Sequence, residues 1–477
     1  MSAERSTIKE RAKEALKDDY LRGAVKSTTD RLRTNKLASQ EALGNWEWWR
    51  ERGRQIRAHV VANLDYYLSQ LAENVRQNGG HIYFCETGHE AVKQVIEIAK
   101  RVKARSVVKS KSMVSEELHL NHALEQEGIE AVETDLGEYI IQLAKEGPSH
   151  IIAPSIHKNR HQVAELFAET DGKEFIPSDT QTLTAFARAK LREKFMTGEI
   201  GVTGCNFAIA ETGSVCLFTN EGNGRMVTSL PKVHIAIMGM ERILPTVEDL
   251  EVMMNLLPRA GTGQKLTSYV SIITGPRKSG EVDGPEEFHL LVVDNGRSEI
   301  LEDEDFRQVL HCIRCGACLN VCPVYRQIGG HAYGWVYPGP IGAVITPLLN
   351  ERNDQYQDLP YASSLCAACY EACPVKIPLH DLLVKLRARN VEKGRTSRWE
   401  KLSFRMYRHA FRSPKRYRVA IRLASRLQKP FLRHGFIQAQ LPILNGWTGA
   451  RDLRGFSGES FRDRWKTLQN VLEKDKG

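Results

Sequence analysis

Seven of the ten cysteines lie between Cys312 and Cys373, in two runs that end alike, Cys312-x2-Cys315-x2-Cys318-x3-Cys322-Pro323 and Cys366-x2-Cys369-x3-Cys373-Pro374. A shift of 51 residues lays Cys315, Cys318 and Cys322 on Cys366, Cys369 and Cys373. The first run has the spacing with which a chain folds three thiolates around one iron–sulfur cluster and sends a fourth to a neighbouring cluster. Under that rule Cys312, Cys315, Cys318 and Cys373 hold one 4Fe-4S cluster, while Cys322, Cys366 and Cys369 belong to a second. The chemistry of such a laced pair is electron transfer. Two zinc knuckles would leave the x3-Cys-Pro ending unexplained, because structural zinc prefers paired C-x2-C units.

The register also exposes a gap, since Cys312 falls on Ser363. Three readings follow for the second cluster: the Ser363 hydroxyl ligates its fourth iron, a water or outside ligand does so, or the cluster is a three-iron species. The remaining cysteines, Cys85, Cys205 and Cys216, stand singly, and Cys216 reads as a buried inert thiol in the apolar run Ser214 to Phe218.

A weaker candidate lies upstream. Gly201 to Ser214 is dense in small and hydroxyl residues, and a loop of this kind exposes N–H groups suited to a phosphate or carboxylate. Gly204, Thr212, Gly213 and Ser214 are the candidate anion contacts. The competing reading is close packing of strand and helix around the glycines. Lys109-Ser110-Lys111-Ser112 either faces the same cavity or forms a solvated loop. His157, His234 and His289 have no partner at ligand spacing and read as core histidines. No Ser-His-Asp or Cys-His set is present, so no catalytic residue is assigned.

The elements that must position these groups follow from periodicity. Residues 1–64 read as a helical N-terminal extension whose Trp46, Trp48 and Trp49 form a packing surface. Over 65–300, helical patterns alternate with short apolar runs such as Ser106 to Val108, Ile129 to Val132, Ile151 to Ala153, Ile235 to Met238, Tyr269 to Ile273 and Phe288 to Val293. That alternation predicts an α/β domain with a largely buried sheet. Residues 301–385 hold the cysteines, with an ordered Gly/Pro-rich connector from Gly329 to Pro340. Residues 386–477 read as a basic, mainly helical C-terminal domain, with a loop at Pro442 and Gly446 and a last amphipathic stretch from Phe461 to Leu472.

At 477 residues the chain exceeds one core, and about 150 residues per domain suggests about three. Hydrophobic residues at 42% and charged residues at 26% are those of a globular protein. The net charge of +9 is uneven: from Arg387 onward there are 23 Lys+Arg against 7 Asp+Glu, leaving the rest of the chain net acidic. No run of 18 apolar residues occurs, and the charged start, Met1 to Arg5, has no apolar segment behind it. With seven thiols at metal-ligand spacing, a reducing cytoplasmic setting is expected, with peripheral contact at the inner face of the membrane allowed by the basic tail.

The run Gly204 to Val215, then Asn220-Glu221-Gly222-Asn223-Gly224-Arg225, Cys312 to Pro323, Gly330-His331-Ala332-Tyr333-Gly334 and Cys366 to Pro374 together resemble the bacterial lactate utilisation protein B family over nearly the whole chain. The resemblance implies a NagB/RpiA/CoA-transferase-like α/β domain, then a helical ferredoxin-like two-cluster domain akin to that of succinate dehydrogenase iron–sulfur subunits, then a C-terminal domain special to the family. It implies the seven cysteines as cluster ligands. It also implies an electron-transfer subunit of an L-lactate oxidising system, working with two partner proteins between a lactate-oxidising donor and a downstream acceptor, and supporting growth on L-lactate. Two other functions remain in view: a CoA- or phosphate-ester-handling enzyme using the α/β domain, and a nucleic-acid-binding protein using the basic tail. No nucleic acid is expected, because helical spacing accounts for Trp399, Phe404, Tyr407, Phe411 and Tyr417 as a packing face.

Overall fold

The structure is a computed structural model that describes residues 7–437, 451–457 and 459–474. It divides into two compact units, Met1–Arg389 and Asn390–Gly477.

Six strands of the first unit form one parallel sheet: β1 (His81–Cys85), β2 (Ser106–Lys109), β3 (Glu130–Glu133), β4 (Ile200–Gly204), β7 (Val233–Gly239) and β10 (Glu287–Val293). Their spatial order is β1-β10-β7-β4-β2-β3. At its centre Ile235 of β7 pairs with Val202 of β4 and His289 of β10. Every residue of β7 is buried, as expected where helices cover both faces of a parallel sheet. One covering helix, Gly88–Arg101, shows how the sequence builds a layer. Thr87 caps it by accepting from the Glu90 N–H, Lys100 and Arg101 end it, and Ala91, Val95, Ile98 and Ala99 face the sheet. Full burial of an aliphatic side chain such as Val95 contributes about 1.5–3 kcal/mol, so a charge at that position would undo the layer.

A smaller sheet, β8-β5-β6-β9, uses β5 (Phe207–Ile209), β6 (Ser214–Thr219), β8 (Ile243–Leu244) and β9 (Tyr269–Ile273). The Gly201–Ser214 segment is therefore not one loop. It contains β4, β5 and the tight turn into β6, where Gly213 has φ +69° and an added Cβ would meet the Asn74 backbone at 2.6 Å. Nor do Ile151 to Ala153 form a strand. The N–H groups of Ile152 and Ala153 are taken by Nδ1 of His150, and Pro154 follows, which leaves no donors for a ladder.

Helices α1 (Ile8–Ala15), α2 (Asp19–Leu43) and α3 (Trp46–Ala62) are more than an extension. They pack on the cysteine-bearing segments, and α3 buries Arg50, Gly53, Ile56, Arg57, Val60 and Val61. Trp46 and Trp49 join this core, whereas Trp48 is exposed.

In the second unit Ser397 and Ser413 cap the helices Arg398–Phe411 and Pro414–Leu427. Tyr407, Phe411 and Tyr417 stack between them, at 4.2 and 5.0 Å between successive rings. All five aromatics read as one packing face, Trp399, Phe404, Tyr407, Phe411 and Tyr417, stay exposed in this unit. A three-stranded sheet and the helix Phe461–Lys474 complete the described part; the loop expected at Pro442 and Gly446 lies outside it. Among the described residues no helix is long and apolar enough to cross a membrane.

Candidate metal centre

The two cysteine runs fold into the same turn twice. Gly316 has φ +73° and ψ −1°, and Ala367, 51 residues on, has +61° and 0°. Arg314 and Leu365 are likewise left-handed, at φ +59° and +55°. Short helices follow at Ala317–Val321 and Ala368–Ala372, ending on Cys322 and Cys373 with φ,ψ of −76°,118° and −71°,121°. The equivalence extends to the position without a cysteine. Sγ of Cys312 accepts from the Arg314 N–H at 3.4 Å, and Oγ of Ser363 accepts from the Leu365 N–H at 3.1 Å.

Cys312, Cys315, Cys318 and Cys373 line one small cavity closed by Ile313, Ile341, Val375 and Ile377. Cys322, Cys366 and Cys369 form the second group, near enough for their charges to act on one another, and Cys318 adjoins it through Cys369. Backbone N–H groups reach the outer sulfurs: Tyr325 donates to Cys322 at 3.5 Å and Ile377 to Cys373 at 3.4 Å. Burial pushes the thiols of Cys315 and Cys369 up to about 12, so these residues give up their protons only to a strongly positive partner such as iron. Cys366 differs. It is exposed, and the Ala368 N–H and the Ser364 hydroxyl hold its thiol below the usual range. The buried Tyr333 hydroxyl makes no regular hydrogen bond and has the Cys322 sulfur as its neighbour. An orphaned donor aimed at a thiol suits an iron-bound thiolate, which accepts where a protonated thiol does not.

Cations from distant parts of the sequence brace the first group. Lys36 donates to the carbonyl of Ala372 at 2.6 Å, Arg50 to those of Cys373 and Tyr370 at 3.0 and 2.9 Å, and Arg242 to that of Cys312 at 2.8 Å. Arg57, fully buried, donates to the carbonyls of Ile243 and Leu310 at 2.8 and 3.1 Å, and burial lowers its guanidinium to about 9. Arg314 lies over the Tyr337 ring at 4.5 Å. Sequence reading missed these groups. A signal existed in α3, where Arg50 and Arg57 share the face of Gly53, Ile56 and Val60.

The upstream candidates separate. Gly204 borders a large cavity, but Thr212, Gly213 and Ser214 lie at the far end of the small sheet: Asn78 donates to the Thr212 carbonyl and Ser214 bonds Thr274. The turn between β5 and β6 carries them away, so the four do not form one anion site. Lys109 is buried in an ion pair with Glu133, while Ser110, Lys111 and Ser112 face the cavity with Gly204, which rules out a solvated loop. Cys205 and Cys216 are held protonated by burial, both pushed up to about 12. His234 is buried against Thr203 and His289 pairs with Glu287. His157 does have partners, though not at sequence spacing: Glu146 at 2.6 Å and the His331 ring at 4.5 Å.

Comparison with known proteins places this architecture. A LUD-domain family matches residues 68–293, a 4Fe-4S dicluster domain residues 308–377, and the C-terminal domain of lactate utilisation protein B residues 386–470. The chain is thus of the class that joins a LUD domain to a two-cluster 4Fe-4S domain. Curated lactate utilization protein B chains of Bacillus cereus (strain AH820) and Bacillus thuringiensis (strain Al Hakam) are each 54% identical over 467 residues, covering 98% of both chains compared. The chain belongs to the lactate utilisation protein B family. It carries two 4Fe-4S clusters and is an iron–sulfur component of lactate utilisation. A solved DUF162 family protein of Deinococcus radiodurans is 16% identical with a TM-score of 0.27, covering 48% of this chain and 98% of that one.

Proposed function

We propose that this chain is the electron-transfer subunit of a multi-protein system that oxidises L-lactate to pyruvate, acting in the cytoplasm with two partner proteins. The observation that carries the proposal is the doubled cysteine turn, with Cys373 exchanged into the first group and Cys322 into the second. Cys312, Cys315, Cys318 and Cys373 hold the first cluster; Cys322, Cys366 and Cys369 hold the second. Bound there, the clusters supply two one-electron carriers. Ser363 provides the fourth contact of the second cluster, because its Oγ takes the N–H that Cys312 Sγ takes in the first turn. Lys36, Arg50 and Arg242 fix the carbonyls of Ala372, Cys373 and Cys312 around the first cluster and favour its reduced, more negative state.

The α/β domain belongs to the NagB/RpiA/CoA-transferase-like group, a reading supported by its parallel order β1-β10-β7-β4-β2-β3. The domains run over 65–300, 301–385 and 386–477, with 1–64 folding onto the cysteine segments. The basic C-terminal domain, with Trp399 and Phe404 exposed, serves contact with a partner or an anionic membrane face. Replacing Cys315 with Ser is expected to remove lactate-dependent reduction of an acceptor by the assembled system. Unchanged activity in a chain that has lost its first cluster, followed by electron paramagnetic resonance, would sink the proposal.

A further inference from the structure

The large cavity bordered by Gly204 holds about 440 Å³, within the range of sites for compact organic ligands and far more than a three-carbon acid fills. Its position follows from topology. After β2 the chain moves outward to β3, then returns to β4 on the other side of β2 and continues towards β7 and β10. The connections leaving the carboxyl ends of β2 and β4 thus diverge, and the crevice between them is where open α/β sheets bind ligands. Ser110, Lys111 and Ser112 follow β2 and line it on one side; Gly204, which ends β4, and Asn206, just beyond it, line it on the other. The wall facing this crevice is the first cysteine turn, which contributes Arg314 and Cys315. The helix Val247–Gly261 brings that turn close: a Cβ on Gly261 would meet the Cys315 carbonyl at 3.0 Å.

Two cations on this lining have unused donors. Nζ of Lys111 has no hydrogen-bond partner, its nearest carboxylate oxygen being on Glu138 at 3.8 Å, and Nη1 of Arg314 has none either. Burial raises the acids acting on Lys111, Glu138 to about 8 and Glu221 to about 7, whereas Arg314 has the Glu241 carboxylate at 3.5 Å, so Lys111 is the less compensated of the two. Buried donors without acceptors are costly, and an anionic ligand would satisfy both. Apolar lining from Ile152, Phe218 and Leu257 suits a ring.

We propose that this cavity binds a phosphate-bearing redox ring compound of the flavin mononucleotide class, with the anionic group at Lys111 and the ring towards Arg314 and Cys315. The assignment rests on the electron-transfer reading above. Oxidation of a 2-hydroxy acid releases electrons in pairs while a 4Fe-4S cluster carries them singly, and flavins handle both.

The test uses the full chain, purified anaerobically with both clusters in place. Flavin mononucleotide is titrated against it and quenching of its fluorescence is followed, with NAD⁺, inorganic phosphate and L-lactate as separate titrants. We expect saturable flavin binding that is at least tenfold weaker in Lys111→Met, and a shift of the first cluster's paramagnetic signal when flavin binds to the unaltered chain. No saturable flavin binding, preference for NAD⁺, saturation by phosphate or lactate at the same concentrations, or equal affinity in Lys111→Met would each overturn the assignment. Should Lys111→Met fail to fold, the binding and signal shift of the unaltered chain decide. Loss of flavin binding leaves the cluster spectra intact, whereas failure of the electron-transfer reading appears as activity that survives Cys315→Ser.

Discussion

The first cysteine group, with Cys373 exchanged into it, is surrounded by Lys36, Arg50, Arg57 and Arg242, while the second, with Cys322 exchanged into it, reaches the surface at Cys366 and meets hydroxyls, those of Tyr333 and Ser364. The backbones match, yet the surroundings do not. Chain geometry can therefore be duplicated while each site is tuned by what packs on it, the first through charge and the second through hydrogen bonds and exposure. Their strain differs as well. Gly316 takes its left-handed φ without a side-chain penalty, whereas Ala367 holds the same conformation at a cost of about 1–2 kcal/mol.

The strongest way to break this comparison is to exchange ligands between turns. Cys373→Ser should destroy the first cluster and spare the second, and Cys322→Ser should do the reverse, read as loss of one paramagnetic signal with the other retained. Loss of the cluster belonging to the mutated run itself would refute the lacing. Next in size, Ser363→Ala should convert the second cluster to a three-iron form under mild oxidation while Ser363→Cys keeps four irons; a Ser363→Ala chain as stable to iron loss as the parent would exclude ligation by this hydroxyl.

Smaller effects concern tuning. Lys36→Met removes a buried positive charge beside the first turn. At an effective dielectric of about 20 a unit charge acts over about 10 Å with about 1.7 kcal/mol, or about 70 mV for one electron. The first cluster's potential should fall by that order and the second's by much less, as potentiometric titration would report. Equal shifts in both would mean that the cation acts on the whole module. Smallest is Tyr333→Phe, which removes the donor facing an iron-bound Cys322 thiolate, a contact worth about 1 kcal/mol, and should lower the second cluster's potential by about 40 mV. An unmoved potential would make the hydroxyl a packing group only.

Much of the molecule was legible beforehand because it rests on local rules. The period of the apolar runs marked β2, β3, β7, β9 and β10, and the 51-residue repeat located both turns. Ile151 to Ala153 misled because an apolar run is indistinguishable from a strand until its N–H groups are accounted for, and here the His150 ring takes them. Gly201 to Ser214 misled because small residues suit a tight strand turn as well as an anion loop. The His157 pairing with Glu146 and His331 joins positions that sequence spacing does not relate.

Cysteine spacing alone determined that this chain binds two clusters, because thiolate ligation needs only a short turn and a return strand of chain. Family membership followed from motifs of the same local kind. Only the tertiary structure decided what surrounds each cluster: which cations from α2 and α3 reach the first cysteine group, that Ser363 repeats the turn geometry of Cys312, and that the crevice of the parallel sheet opens against Cys315. These are contacts between residues far apart in the chain, set by how whole layers pack, and no local pattern encodes them.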